Sequence, residues 1–253
     1  MFERDADGVL HIVALSGGHD SSCLSFELKE REPRPYHYVC TPTGDELPEM
    51  FVFWNELGHR LGRRLIPIMV GTLKSTIAKE KMLPNYRARF CTRILKIEPY
   101  RRFLAEQAQH GPIVSYVGLR ADEEGRAGGA FSDIPGVTMR FPLREWGYDE
   151  DAVQRSLAER DIVCPNRTDC ARCYHQKIGE WWELWWHHPD IFADAVQDEK
   201  TYGATYRTPG RDSWPTSLED LGKAFAAGRV PDISLTRMFR ERQQSGSCRV
   251  CRL

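Results

Sequence analysis

Val9-Leu10-His11-Ile12-Val13-Ala14-Leu15-Ser16-Gly17-Gly18-His19-Asp20-Ser21-Ser22 is the stretch whose reading decides the fold. Residues 9–15 form a nearly continuous apolar run, the pattern of a short strand buried on both faces of a parallel sheet. A glycine pair ends the run. Residues 22–30 then set Cys23, Leu24, Phe26 and Leu28 among polar residues without Pro or Gly, which predicts a helix. A turn between strand and helix offers unpaired backbone N–H groups and the positive end of the helix dipole, and together these hold phosphate. Gly17 and Gly18 let the backbone approach an anion closely. Ser16, Ser21 and Ser22 add hydroxyl donors, and Asp20 is placed to orient the loop or a metal-bound phosphate.

Working outward, a second strand is predicted at 36–40, a turn at 41–48, a helix at 49–61 and a strand at 65–70. A helix over 93–109 and a strand over 113–118 follow, then a polar, glycine-containing loop over 119–135 near the strand ends. This alternation predicts an α/β fold: an open, mostly parallel twisted sheet flanked by helices, with its ligand at the carboxyl ends of the strands. From about Asp149 the pattern becomes helical, and the tail after Gly210 carries scattered Pro and Gly with no strand signal. The expected organisation is a nucleotide-binding α/β domain over 1–150 and a cysteine-rich, mainly helical region over 151–253.

At 253 residues the chain can bury a sizeable core. With 35 Lys and Arg against 36 Asp and Glu, attraction to nucleic acid has to come from local patches. One such patch is the tail, where Arg237, Arg240, Arg242, Arg249 and Arg252 face Glu241 alone. There is no start of signal-peptide type and no apolar run near the roughly 20 residues a membrane helix needs, so a soluble, cytoplasmic protein without a membrane partner is expected.

The 8 cysteines are many for an intracellular chain. Cys23 and Cys40 read as small core hydrophobes. The other six sit in or near later motifs, and in a reducing cytosol metal binding or redox chemistry explains them better than disulfides. Cys164-x5-Cys170-x2-Cys173 gathers three thiols, and a two-residue spacer lets two thiolates face one metal. Pairing Cys170 and Cys173 with Cys248-x2-Cys251 instead gives a four-thiolate set suited to zinc. Trp181, Trp182, Trp185 and Trp186 fall at helical i, i+4 spacing, where core packing is preferred over a base-stacking platform. His175, His187 and His188 have no convincing partner by spacing.

Ser-Gly-Gly-x-Asp-Ser after a first apolar strand resembles the PP-loop of the ATP pyrophosphatases and sulfonucleotide reductases. Further segments match that group in order. Thr43-Gly44-Asp45-Glu46-Leu47-Pro48-Glu49 and Phe90-Cys91-Thr92-Arg93-Ile94-Leu95-Lys96-Ile97-Glu98-Pro99 are similar to stretches of the phosphoadenosine phosphosulfate (PAPS) reductase family. So are Gly118-Leu119-Arg120-Ala121-Asp122-Glu123-Glu124-Gly125-Arg126, with Glu124 where the family has serine, and Pro142-Leu143-x-x-Trp146. The resemblance implies that Ser16, Gly17, Gly18, Asp20, Ser21 and Ser22 bind phosphates and that Gly118 and Arg120 lie beside the nucleotide. Arg93, Lys96 and Arg126 would neutralise phosphate or sulfate charge. It also puts Cys91 with Cys170 and Cys173 as ligands of an iron-sulfur cluster of 4Fe-4S type. Thr92 stands where iron-sulfur members carry a second cysteine, so Cys164 is the economical fourth ligand.

The function expected from this reading is an ATP pyrophosphatase that adenylylates an acceptor for sulfur insertion. ATP and Mg2+ are the cofactors beside the cluster or zinc, a nucleic acid (DNA or tRNA) is the acceptor, and a cysteine desulfurase is the sulfur donor. Asp20, Arg93, Lys96, Cys248 and Cys251 are the candidate catalytic residues, and a homodimer is the assembly to test. Two alternatives stay open: a sulfonucleotide reductase with a thiol nucleophile, and a non-enzymatic iron-sulfur nucleotide sensor.

Overall fold

The structure is a computed structural model and describes residues 2–123, 125, 126 and 131–231. In chain order its elements are β1 (Leu10–Ala14), α1 (His19–Arg31), β2 (Tyr36–Cys40), α2 (Pro48–Leu61), β3 (Ile66–Pro67) and α3 (Leu73–Glu80). Next come the short α4 (Phe90–Thr92), a π-helical turn (Arg93–Ile97), α5 (Glu98–Ala108), β4 (Ile113–Tyr116), β5 (Val137–Arg140) and α6 (Pro142–Glu145). The chain then runs through α7 (Glu150–Ala158), α8 (Ile178–His187), α9 (Pro189–Tyr202) and α10 (Leu218–Ala226). The sheet is parallel throughout, in the order β3-β2-β1-β4-β5. The chain therefore runs outward from β1 through β2 to β3 and then crosses back to β4 on the other side of β1. The crevice this opens lies between the carboxyl ends of β1 and β4, where open α/β sheets bind ligands.

Strand periodicity explains the layering. Leu10 and Ile12 of β1 join Val39, Tyr100, Leu104 and Ile113 in a core under α5, while Val13 and Leu15 pack with Leu24 and Leu28 of α1 on the opposite face. Phe53 and Leu57 of α2 and Val153 and Leu157 of α7 complete that second layer. Leu24 and Leu28 are wholly buried, each worth about 1.5–3 kcal/mol against exposure. A third core draws on both sides of residue 150. Leu73, Ile77, Phe90 and Leu95 pack there with Trp181, Phe192, Leu221 and Phe225. Trp181 is fully buried, Trp182 and Trp185 pack against the same cluster, and Trp186 is 61% exposed, so the tryptophan run is core on one side only. Among the described residues, no helix is long and apolar enough to cross a membrane.

Several expectations change at the element level. The strand expected over 65–70 shrinks to Ile66–Pro67, since Pro67 cannot donate to a ladder and sits at the sheet edge. The helix expected over 93–109 begins as a π-turn over Arg93–Ile97. Strand β5 and helices α3 and α10 add to the elements foreseen.

Candidate functional site

The turn after β1 is held open by its own backbone and braced from outside. Gly17 has φ +87°, and a Cβ on it would lie 2.6 Å from Trp54 Nε1 and 2.8 Å from Met50 Cε. Trp54 donates its indole N–H to Ser16 O at 3.0 Å. Ser16 Oγ meets Ser21 Oγ at 3.0 Å and accepts from Gly18 N at 3.3 Å, while Ser21 donates to Gly18 O at 3.2 Å. Gly18 is the N-cap of α1 and supplies no side-chain cap, so the first-turn N–H groups of a 13-residue helix face the turn uncapped.

Asp20 is 1% exposed. Its Oδ1 accepts from Arg120 Nη1 at 3.3 Å, and its Oδ2 is buried without a hydrogen-bond partner. Burial pushes the carboxyl up to about 6, against the pull of Arg120. Burial also opposes the charge on Arg120, yet Asp122 at 2.9 Å and Asp20 outweigh it and hold the guanidinium above its ordinary range. His19 is kept below its usual value by burial and then by Arg120. Gly118 explains how Arg120 comes so close. A Cβ there would stand 2.9 Å from Asp20 C and 3.0 Å from Asp20 O and Ser21 N, all backbone atoms that cannot yield. Arg126 pairs with Glu123 at 2.6 Å, and both act electrostatically on Asp20. Ser16, Gly17, Gly18, Asp20 and Ser21 thus form one turn, and Gly118, Arg120 and Arg126 approach Asp20 from the segment after β4. Arg144 escaped the sequence reading. It donates to the carbonyls of Glu123 at 2.9 Å and Arg126 at 3.0 Å and so shapes the loop from below, from an unspecified position of Pro142-Leu143-x-x-Trp146.

Arg93 and Lys96 sit elsewhere. Arg93 is 60% exposed and pairs with Glu98 at 2.5 Å, a solvated ion pair of small worth. Lys96 lines a small cavity with Cys91, Cys170 and Cys173. These three cysteines share the third core, whereas Cys164 packs in the α1 layer beside Ser22, its thiol pushed up to about 12 by burial. The structure thus brings Cys91, Cys170 and Cys173 into one cluster and sets Cys164 in another. Arg167 is buried beside the cysteine segment, donating to Cys170 O at 3.0 Å with Asp169 at 3.3 Å. The cavity the three thiols border is about 10 Å3, room for about one water. Among the described residues no group of three or more His, Cys, Asp or Glu is placed to hold a metal ion. Cys248, Cys251 and the arginines of the tail lie outside the described residues, as does Glu124.

The cysteine segment docks on the loop after β2. Ala171 N donates to Asp45 O at 2.6 Å, Arg172 N to Asp45 Oδ2 at 3.0 Å and Arg172 Nε to Asp45 Oδ1 at 2.7 Å. Thr43 Oγ1 meets Cys170 Sγ at 3.3 Å, and Glu46 bridges Cys170 as an antiparallel pair. Arg172 also reaches Asp198 of α9 at 2.8 Å.

The phosphoadenosine phosphosulfate reductase domain matches residues 11–162. The chain is 29% identical over 274 aligned positions to the uncharacterized nin region protein ORF290 of Escherichia phage lambda, across 95% of this chain and 93% of that protein. Among solved structures, the phosphoadenylyl-sulfate reductase of Candida auris in its phosphate complex aligns with 62% of this chain and 74% of its own, at 13% identity and a TM-score of 0.45. The U34-tRNA thiolase NcsA of Methanococcus maripaludis, solved with its 4Fe-4S cluster, aligns with 94% of this chain and 81% of its own, at 14% identity and a TM-score of 0.47.

Proposed function

The chain belongs to the phosphoadenosine phosphosulfate reductase domain family, and we propose that within it the chain acts as an ATP pyrophosphatase that adenylylates an acceptor for sulfur insertion. One observation carries the choice of ATP: the buried, unpartnered Oδ2 of Asp20 inside a loop built for phosphate. A bare carboxylate there repels a polyanion, and a cation between the two makes the arrangement favourable. Asp20 and the nucleotide phosphates would hold Mg2+, which when bound supplies charge neutralisation for a departing pyrophosphate. The uncapped N–H groups of α1, with Ser16 and Ser21, bind and orient the phosphate chain. Arg120 and Arg126 balance its charge. An acceptor oxygen attacks the α-phosphorus, the bond to the β-phosphate breaks and pyrophosphate leaves. The terminal sulfur of a persulfide then displaces AMP, taking the place of the oxygen, and a thiol reductant cleaves the remaining S–S bond. We read the acceptor as a nucleic acid, DNA or tRNA, and the sulfur source as a cysteine desulfurase. No step runs through the cysteine cavity.

Family membership favours a second reading, reduction of a sulfonucleotide by a thiol. Its nucleophile has to be an accessible thiolate. The six cysteines among the described residues are all buried, with Cys23, Cys40 and Cys164 pushed up to about 12 by burial. Pyrophosphate release from Mg-ATP, measured beside sulfite release from adenylyl sulfate and PAPS, separates the two. Sulfite without pyrophosphate overturns the proposal, and silence in both assays supports a nucleotide sensor.

A further inference from the structure

Helix α2 and the edge strand β3 border a cavity of about 760 Å3 that the phosphate loop leaves unused, a volume in the range of sites for nucleotide-sized ligands. Phe51 and Trp54 meet edge to face in its wall, centroids 5.6 Å apart at 86°. Phe51 is 51% and Met69 50% exposed, apolar surface left open to water at the cavity mouth. Arg63 and Arg64 stand at the same site, and no Asp or Glu is among the described residues lining it. Arg63 pairs with Glu3 at 2.5 Å with its side chain 37% exposed, and Arg64 is exposed. Trp54 is also the brace of the phosphate loop through Ser16 O, so one indole forms a wall of both sites. Through Trp54 this cavity adjoins the turn at Ser16. Ring faces beside cations, with no acidic lining, suit an aromatic base and the phosphate attached to it.

We infer that this cavity binds a base of the acceptor polynucleotide, stacked on the exposed ring of Phe51 with its edge toward Trp54, and that Arg63 and Arg64 hold the adjoining phosphate. The inference rests on the reading of a nucleic-acid acceptor. Fluorescein-labelled single-stranded DNA and RNA of about 12 nucleotides, titrated by anisotropy at several salt concentrations, test it. Wild type is expected to bind one of them. Phe51→Ala should weaken that binding about 5-fold or more through lost stacking, and Arg64→Ala should weaken it while reducing the salt slope by about one phosphate. Both residues are exposed, so the variants should keep the wild-type thermal transition, checked alongside. Equal binding by wild type and both variants overturns the cavity and leaves the acceptor reading standing. No binding to wild type overturns both. Displacement by a poly-glutamate peptide, with the bases making no difference, assigns the arginines to an acidic protein and overturns the base site.

Discussion

A carboxylate in a phosphate loop needs a reason, and Asp20 gives one that can be titrated. Its rise from the ordinary 3.8 to about 6 is caused first by burial, with Arg120 pulling the other way, and corresponds to on the order of 3 kcal/mol of proton affinity. A folded-state value above the unfolded one means that the protonated form is favoured on folding. The stabilisation is full below pH about 4 and lost as pH rises through about 6. Magnesium-ATP requires the anion, so its affinity runs the opposite way. It should be about 10-fold tighter at pH 7.5 than at pH 5, the ratio of the deprotonated fractions, when followed by calorimetry. An affinity flat over that range refutes the role of Asp20. Asp20→Asn should remove the pH dependence and slow pyrophosphate release on the order of 100-fold. Gly118 allows a sharper steric test. Gly118→Ala puts a methyl group against the backbone of Asp20 and Ser21, and it should cost about 1–3 kcal/mol in urea unfolding as well as weaken ATP binding. A neutral substitution would show that the crevice is looser than these distances imply.

At the scale of elements, the joint between the loop after β2 and the cysteine segment is the buried pair Asp45–Arg172. Burial raises the Asp45 carboxyl and Arg172 lowers it, so removing Arg172 leaves an uncompensated acid in the interior. Arg172→Met is expected to destabilise by about 3–5 kcal/mol and Asp45→Asn by less. The double variant should recover part of the loss, because the second change removes the stranded charge. Strict additivity in that cycle would show the pair to be uncoupled. The sequence made neither residue conspicuous, since Asp45 is a variable position within Thr43–Glu49 and Arg172 a spacer between two cysteines. What was legible was local: the apolar run of β1, the buried pattern of β2, the glycine turn and the amphipathic α2 announce themselves within about ten neighbouring residues. Strand β5 buries Val137 alone, and α3 opens on a Thr72–Ser75 capping box in place of the usual acidic partner, so neither carries a strong signal. The π-turn at Arg93–Ile97 is a matter of hydrogen-bond register that side-chain pattern does not encode. The packing of Cys164 in the α1 layer was beyond spacing arguments too, because its neighbour Ser22 is far from it in sequence.

Across the whole molecule, composition changes near residue 150 but the packing does not stop there. The third core takes Leu73, Phe90 and Leu95 from the sheet side and Trp181, Phe192 and Phe225 from the helical side. Stability should therefore be shared. Urea unfolding followed by far-UV circular dichroism and by tryptophan fluorescence is expected to give one coincident transition, even at a length where separate domains are common. Trp181→Ala, at a fully buried site, should cost about 3–5 kcal/mol of unfolding free energy and lower both midpoints together, although the sheet lies on the other side of the boundary. Glu199 adds a pH signature. It accepts from Tyr206 N at 2.9 Å and Leu218 N at 2.7 Å, and burial pushes it up to about 7, so stability held below its unfolded value is lost as pH rises through 7. Asp20 acts in the same sense near pH 6. If the two ends of the chain are one cooperative unit, the melting of the sheet will register the titration of Glu199 in the helical region. Glu199→Gln, which cannot titrate, should then flatten the fall in melting temperature between pH 6 and 8 for the circular dichroism and fluorescence signals alike. A flattening confined to fluorescence, with the sheet signal unchanged, would mean that the third core does not couple the two regions.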